Sequence, residues 1–209
     1  MPINEIAIIL AAGFSSRMNG FPKPILTLNK NQKFVDKVDE TYKSLGIDTV
    51  IVIRDDKRVI NYIKRKRYKF VINKNPQRGM HSSIETGFNL IKETGIDRIF
   101  IHPVDVPLVK TETIKSLKEH SLKDKIIVPV YQGRKGHPIL IPQKYLEDII
   151  HTDDFKNKGL RVMFSMLKKK IIELEVNDNF ILLDFDTEID YKRLQKMVCG
   201  FQATAGCSP

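Results

Sequence analysis

The apolar run Ile6-Ala7-Ile8-Ile9-Leu10, followed at once by Ala11-Ala12-Gly13-Phe14-Ser15-Ser16-Arg17-Met18, constrains the fold more than any other stretch of the chain. A continuous Ile-rich run reads as a parallel strand buried on both faces, because a half-solvated strand would alternate with polar residues. Ligands of open parallel sheets gather at the carboxyl ends of such strands. Gly13 permits positive φ and close backbone approach, so a turn there can aim N–H groups at an anion. Arg17 and the Lys23 of Pro22-Lys23 add full positive charge. The guest this suggests is a nucleoside triphosphate. No G-x-x-x-x-G-K-[ST] occurs, and no G-x-G-x-x-G follows a strand. On its own the segment fits equally a strand-to-helix turn that needs a glycine, with Arg17 and Lys23 simply solvated.

Strand-like runs recur at 6–10, 49–53, 69–72 and 98–101, with helix-like segments at 34–45, 57–66, 82–92 and 112–120. Thr111 is the expected cap of the last of these. Such alternation predicts parallel βαβ units. After Lys125 the texture changes: Ile126-Ile127-Val128-Pro129-Val130, a Gly133-Arg134-Lys135-Gly136 turn and Pro138-Ile139-Leu140-Ile141 resemble a hairpin or an antiparallel edge. Helices at 143–150 and 159–168, an apolar run at 180–183 and a helix from Glu188 to about Met197 complete the pattern. The expectation is an α/β fold: a Rossmann-like mixed, mostly parallel sheet with helices on both faces. One domain spans 1–199, and a disordered tail is expected over 200–209.

With 42% hydrophobic residues in 209, the chain can bury a core without staples. Cys199 and Cys207 have no CxxC spacing, which argues against a disulfide framework or a zinc site. No signal-like segment and no run near the ~20 apolar residues of a membrane span is present, so the expectation is a soluble cytoplasmic protein with no membrane partner. The net charge of +10 raises nucleic acid as a partner. Its distribution argues against that: Lys64-Arg65-Lys66-Arg67 and Lys168-Lys169-Lys170 end helices, and no aromatic platform is interleaved with basic residues.

Asp105, in His102-Pro103-Val104-Asp105-Val106-Pro107, lies just past the end of the 98–101 strand and therefore beside the Gly13 loop. A carboxylate there suits Mg²⁺ serving nucleotide chemistry, a reading only slightly favoured by the local sequence over an Asp that ends a strand in a Pro-bounded turn. Asp186 is a second candidate; Thr187 and Asp190 next to it have the spacing of a capping box, which leaves Asp186 unexplained. Ser82 and Ser83 open a helix, either toward a base or phosphate or as plain caps. His137 and Arg161 each follow a flexible glycine and can reach an anionic second substrate, or can be structural.

In order along the chain, Leu10-Ala11-Ala12-Gly13 with Ser15, Arg17-Met18 and Pro22-Lys23; Asn75-Pro76, Gly79-Met80 and Ser83-Ile84; Asp105-Val106-Pro107; Gly136-His137-Pro138; and Phe185-Asp186-Thr187 with Asp190-Tyr191 resemble the nucleotidyltransferases of molybdenum cofactor maturation, the cytidylyltransferases above all. The resemblance implies a sheet of the nucleotide-diphospho-sugar transferase type. It also implies that Leu10, Ala11, Ala12, Gly13 and Ser15 hold the nucleotide, Arg17 and Lys23 bind its triphosphate, and Ser83 lies near the base. Asp105 would be the principal Mg²⁺ ligand with Asp186 as a second, and His137 and Arg161 would face the acceptor.

Ala12 matters within this resemblance, because guanylyl-transferring relatives carry Leu-Ala-Gly-Gly where this chain has Leu-Ala-Ala-Gly. CTP is therefore expected over GTP, molybdopterin as the phosphorylated acceptor, and a molybdenum hydroxylase as recipient of the product. The alternatives are another nucleotide or a sugar or alcohol phosphate, guanylyl transfer to molybdopterin, and a chaperone that delivers cofactor without turnover. The chain departs from the pattern at Asn19, which separates Met18 from Gly20; at Glu188, where Pro is usual; and at Lys158-Gly159-Leu160-Arg161, which replaces Asp-x-Gly-Ala-Arg.

Overall fold

The computed structural model describes residues 3–120, 122 and 124–204, the stretch 198–204 by its backbone alone. In chain order the elements are β1 (Glu5–Ala11), β2 (Thr27–Asn29), β3 (Gln32–Lys33), α1 (Phe34–Lys43), β4 (Asp48–Arg54), α2 (Lys57–Lys66), β5 (Phe70–Asn73), α3 (Met80–Ile91) and β6 (Arg98–Pro103). They continue with α4 (Thr111–Glu119), β7 (Ile126–Tyr131), β8 (Arg134–Lys135), β9 (Ile139–Pro142), α5 (Gln143–Ile150), α6 (Asp153–Lys158), α7 (Arg161–Met166), β10 (Ile171–Glu175) and α8 (Glu188–Thr204). Strands β2 and β3 form a small ribbon, and the rest build an eight-stranded sheet ordered β10-β7-β9-β6-β1-β4-β5, with β8 on β7.

The N-terminal run is buried along its whole length and pairs in parallel with β4 on one side and β6 on the other. Its alternate side chains feed two cores. Ala7, Ile9 and Ala11 pack with residues of α1, α2, α4 and α8, while Ile6, Ile8 and Leu10 pack with α3, α5, α6 and α7. Helices cover both faces of a mixed, mostly parallel sheet, the arrangement expected from the alternation of strand and helix. Antiparallel β9 lies between β6 and β7 and gives the sheet its mixed character.

At Gly87, α3 comes so close to the sheet that a Cβ would stand 2.7 Å from Cγ2 of Ile8 and 2.9 Å from Cγ2 of Val52. Only glycine lets this helix sit there without moving its neighbours, and α3 starts with the residues that wall the site below.

Several expectations change. Thr111 is the first residue of α4, and the cap position before it is Lys110, with no side-chain cap. The helix expected over 159–168 is shorter, α7 (Arg161–Met166), followed by a 3₁₀ turn at Lys168–Lys170, and an unexpected helix, α6, precedes it and ends at Gly159 (φ 59°), where the chain leaves the right-handed region. The apolar run 180–183 is largely a 3₁₀ turn, Asn179–Leu182, and the edge strand is β10, whose Glu-interrupted pattern hid it. The final helix runs through Thr204, past Gly200, while 205–209, Cys207 and the Cys199 side chain lie outside the described residues. No helix among the described residues is long and apolar enough to cross a membrane.

Candidate active site

Parallel register decides what meets at the sheet's carboxyl edge. Ala11 stands opposite Ile53 and Leu10 opposite Pro103, so the segments leaving β1, β4 and β6 emerge side by side. After β1, the chain folds into two short 3₁₀ turns, Ser16–Met18 and Lys23–Ile25. The positive φ allowed to Gly13 is not used there: Ser15, Asn19 and Gly20 take the left-handed φ, of 53°, 49° and 71°. The N–H groups of Met18 and Gly20 both donate to the Ser15 carbonyl, at 2.8 and 3.2 Å. This knot presents Arg17 outward and Lys23 inward.

The Asp105 loop is stapled from two sides: the Val104 N–H donates to the Leu10 carbonyl at 3.0 Å, and the Phe185 N–H donates to the Asp105 carbonyl at 3.0 Å. Phe185 is buried edge-on against Phe34, which fixes where Asp186 stands. Beneath the loop, His102 is fully buried, with Nε2 2.9 Å from the Val106 carbonyl and Nδ1 3.0 Å from the Tyr42 hydroxyl. Burial pushes its pKa down to about 4 against the pull of the Val106 carbonyl. The neutral ring therefore carries its proton on Nε2, donates to Val106 and accepts from Tyr42.

Lys23, Asp105 and Asp186 thus converge. The Lys23 ammonium lies 2.8 Å from Oδ2 of Asp105 and contacts Oδ1 of Asp186, whose Oδ2 is contacted by the exposed Arg17. Burial lowers the Lys23 pKa, but the two carboxylates more than offset it, leaving the group above its ordinary value and firmly charged. Thr187 and Asp190 form the expected box: the Asp190 N–H donates to Oγ1 of Thr187 at 3.2 Å, and Oδ2 of Asp190 accepts from the Thr187 N–H at 3.0 Å. The departures at 19 and 188 meet each other: Nδ2 of Asn19 donates to Oε1 of Glu188 at 2.7 Å, tying the loop to the start of α8.

A cleft of about 260 Å³ opens over this convergence, walled by Leu10, Ala11, Ala12, Gly13, Ser15, Lys23, Ser83 and Asp105. Ser83 lies in the first turns of α3 and does not open it, since the helix begins at Met80; its hydroxyl and that of Ser82 accept from Nδ2 of the buried Asn73 at 3.0 and 2.9 Å. Arg17 and Asp186 stand outside the wall, joined to it through Lys23. His137 and Arg161 line a second cavity of about 390 Å³, together with Lys135, Lys158 and Phe164. Met80, half exposed, belongs to both cavities and separates them. The His137 backbone is held where the chain passes Gly136, whose Cβ would collide with the Ile181 carbonyl at 2.4 Å, and the His137 N–H donates to that carbonyl at 2.9 Å. Nδ1 of His137 is buried without a hydrogen-bond partner among the described residues, and burial lowers the pKa of His137 against the pull of Asp105 and Asp184.

The model of the MobA-like NTP transferase domain matches residues 7–171, a span that holds most of β1, the loop after it, Asp105 and His137. The chain belongs to the MobA-like NTP transferase family. Among curated proteins, this MobA-like chain is 25% identical over 173 residues to a probable molybdenum cofactor guanylyltransferase of Clostridium perfringens, covering 82% of this chain and 83% of that protein. It spans only 29 to 41% of several bifunctional GlmU proteins that it also matches. A Methanothermobacter nucleotidyl transferase superposes with a TM-score of 0.80 at 19% identity, over 95% of this chain and 99% of that one. A Mycobacterium tuberculosis protein solved in complex with manganese superposes with a TM-score of 0.71 at 18% identity, over 92% and 98%. The chain is a nucleotidyltransferase of this family, an enzyme class in which a nucleotide and a phosphorylated acceptor are the substrates.

Part of both walls is not legible in the sequence. Phe14 and Met80 lie in the Gly13 and Gly79 segments, yet nothing local marks an apolar residue as a cavity wall rather than core. Lys135, Lys158 and Phe164 come together only because β7, β8, α6 and α7 fold over one another.

Proposed function

We propose that this transferase joins CMP from CTP to the terminal phosphate of molybdopterin, releasing pyrophosphate. The observation that carries the reading is the single cleft in which the Leu10-Ala11-Ala12-Gly13 wall faces Lys23 and Asp105. Ala12, 3% exposed, adds a methyl group to that wall where the guanylyl-transferring pattern has glycine. One methyl of this kind discriminates by about 1–3 kcal/mol, enough to prefer a pyrimidine.

The donor set suits a hard divalent cation. Asp105 and Asp186 turn oxygens toward one point, where a lysine ammonium now balances both, and carboxylates with room for waters and phosphate oxygens are what Mg²⁺ takes. Mg²⁺, when bound, supplies charge neutralisation on the triphosphate. Lys23 and Arg17 bind triphosphate oxygens, and Gly13 lets the backbone approach them. A phosphate oxygen of the acceptor attacks the α-phosphorus, the bond from that phosphorus to the bridging oxygen of the β-phosphate breaks, and pyrophosphate leaves with its charge met by Lys23 and Arg17. No base is required, because the attacking phosphate is already ionised near neutral pH. The acceptor's seat is the second cavity, where Lys135, Lys158, Arg161 and His137 offer donors beside the apolar Phe164 and Ile139. The product would pass to a molybdenum hydroxylase.

Guanylyl transfer to the same acceptor is the second reading, favoured by the Clostridium perfringens relative. Incubation with CTP labelled at the α- or the γ-phosphorus, Mg²⁺ and molybdopterin tests the chemistry. The α-label should move into a molybdopterin dinucleotide and the γ-label into pyrophosphate. Label at γ in the acceptor would contradict nucleotidyl transfer.

A further inference from the structure

Arg54, the last residue of β4, was assigned no role by the motifs, yet it touches the nucleotide loop at both ends. Its Nη1 donates to the Gly13 carbonyl at 3.2 Å and its Nη2 reaches the Gly20 carbonyl at 3.4 Å. The guanidinium carbon lies 5.6 Å from the centre of the Phe14 ring, a cation–π distance. Asp56, two residues on, accepts from Nη2 of Arg54 at 3.2 Å. Asp56 also accepts from Nε and Nη2 of Arg58, at 3.1 and 2.8 Å, and Arg58 in turn lies 5.8 Å from the centre of the Phe21 ring. The bridge is placed by register, because β4 runs parallel to β1 with Ile53 opposite Ala11, so Arg54 meets the chain as it leaves the sheet.

The loop between these carbonyls has a reason to need such a tie. Three of its residues, Ser15, Asn19 and Gly20, hold left-handed φ, and two of them are not glycine. Left-handed conformations in L-residues are disfavoured and persist only where surroundings over-determine them. Inside the loop, Ser15 gathers two backbone N–H groups; outside it, a planar guanidinium with donors in a fixed fork bridges two carbonyls in a way an ammonium cannot. Arg54 is only 14% exposed and Asp56 only 10%, so the pair is better shielded from solvent than an ordinary surface ion pair.

We propose that Arg54, steered by Asp56, is a positioning residue: it ties Gly13 to Gly20 from outside the cleft and thereby sets where Arg17 and Lys23 stand. It does not touch the nucleotide. The structural half of this inference stands on geometry alone; its kinetic half rests on the nucleotidyl-transfer reading.

Hydrogen exchange over residues 13–22, read without nucleotide, separates the two halves. In Arg54→Ala, exchange there should accelerate about 10- to 100-fold, with β1 and β4 as slow as in the unaltered protein, and trypsin should cut faster after Arg17. The KM for CTP with Mg²⁺ should rise about tenfold while kcat falls less, since misplaced binding groups weaken the nucleotide first. Arg54→Lys keeps the charge and loses the fork, so it should restore the melting temperature fully and the loop exchange only in part; Asp56→Asn should fall between. Loop exchange unchanged in Arg54→Ala would overturn the tie, as would acceleration spread evenly over β1 and β4 in all three variants. Failure of CTP to slow loop exchange in the unaltered protein would instead count against the nucleotidyl-transfer reading, leaving the tie intact.

Discussion

The Lys23 ammonium lies 2.8 Å from the Asp105 carboxylate, although 82 residues separate them in the chain, and the same ammonium also holds Asp186. The pair joins the loop after β1 to the loop after β6 across the mouth of the cleft. In Asp105→Asn the side chain keeps its shape, and Lys23 keeps one carboxylate partner. Turnover should therefore fall by about 10²- to 10³-fold, with the melting temperature moving by less than about 4 °C. Steady-state rates and calorimetry on one preparation decide it, and parallel loss of folding and turnover would make Asp105 a structural residue.

Ala12 should set part of the nucleotide preference. Ala12→Gly removes one methyl from the cleft wall, and the ratio of kcat/KM for GTP to that for CTP should rise about tenfold. A ratio that does not move would show that residue 12 does not sense the base.

Gly87 offers a test of the fold. A methyl placed 2.7 Å from Ile8 Cγ2 must push α3 off the sheet, and overpacking of this kind costs about 1–3 kcal/mol, more than alanine gains as a helix former. Gly87→Ala should unfold at lower denaturant. A more stable Gly87→Ala would mean that α3 does not pack this closely.

His102 makes stability depend on pH. Its folded pKa, about 4, lies below the ordinary value near 6.5, so the unfolded chain takes up the proton first. Stability contributed by the neutral ring is present above about pH 6.5 and is lost as pH falls toward 4, amounting to about 3 kcal/mol over that window. His81 and His137, both lowered chiefly by burial, act in the same sense. Denaturant titrations from pH 7.5 to 4.5 should show a shallower decline in His102→Gln than in the unaltered protein; identical slopes would show that His102 is not the buried neutral group.

Much of this architecture is legible in the residues. A β-branched run buried on both faces leaves little choice but a central parallel strand, and the glycine after it marks the sheet edge where the cleft opens. The position of Asp105 beside that edge is legible for the same reason, since it follows a second such strand. Strand β10 is not, because alternating Glu173 and Glu175 at a sheet edge look like loop. Asp186 meets Lys23 only through Phe185 packing on Phe34, a long-range contact that spacing does not encode. Arg54 is invisible for a related reason: its partners are backbone carbonyls of Gly13 and Gly20, which any residue could provide. The two departures at Asn19 and Glu188 look unrelated in sequence and are hydrogen-bonded in space.

The most direct test of the central claim is pyrophosphate release from the purified protein with Mg²⁺ and molybdopterin, offering CTP, GTP, UTP and ATP separately. The expected result is release that requires molybdopterin and is fastest with CTP. Fastest release with GTP would contradict the role given to Ala12, and silence with all four, while nucleotide still binds, would contradict molybdopterin as the acceptor.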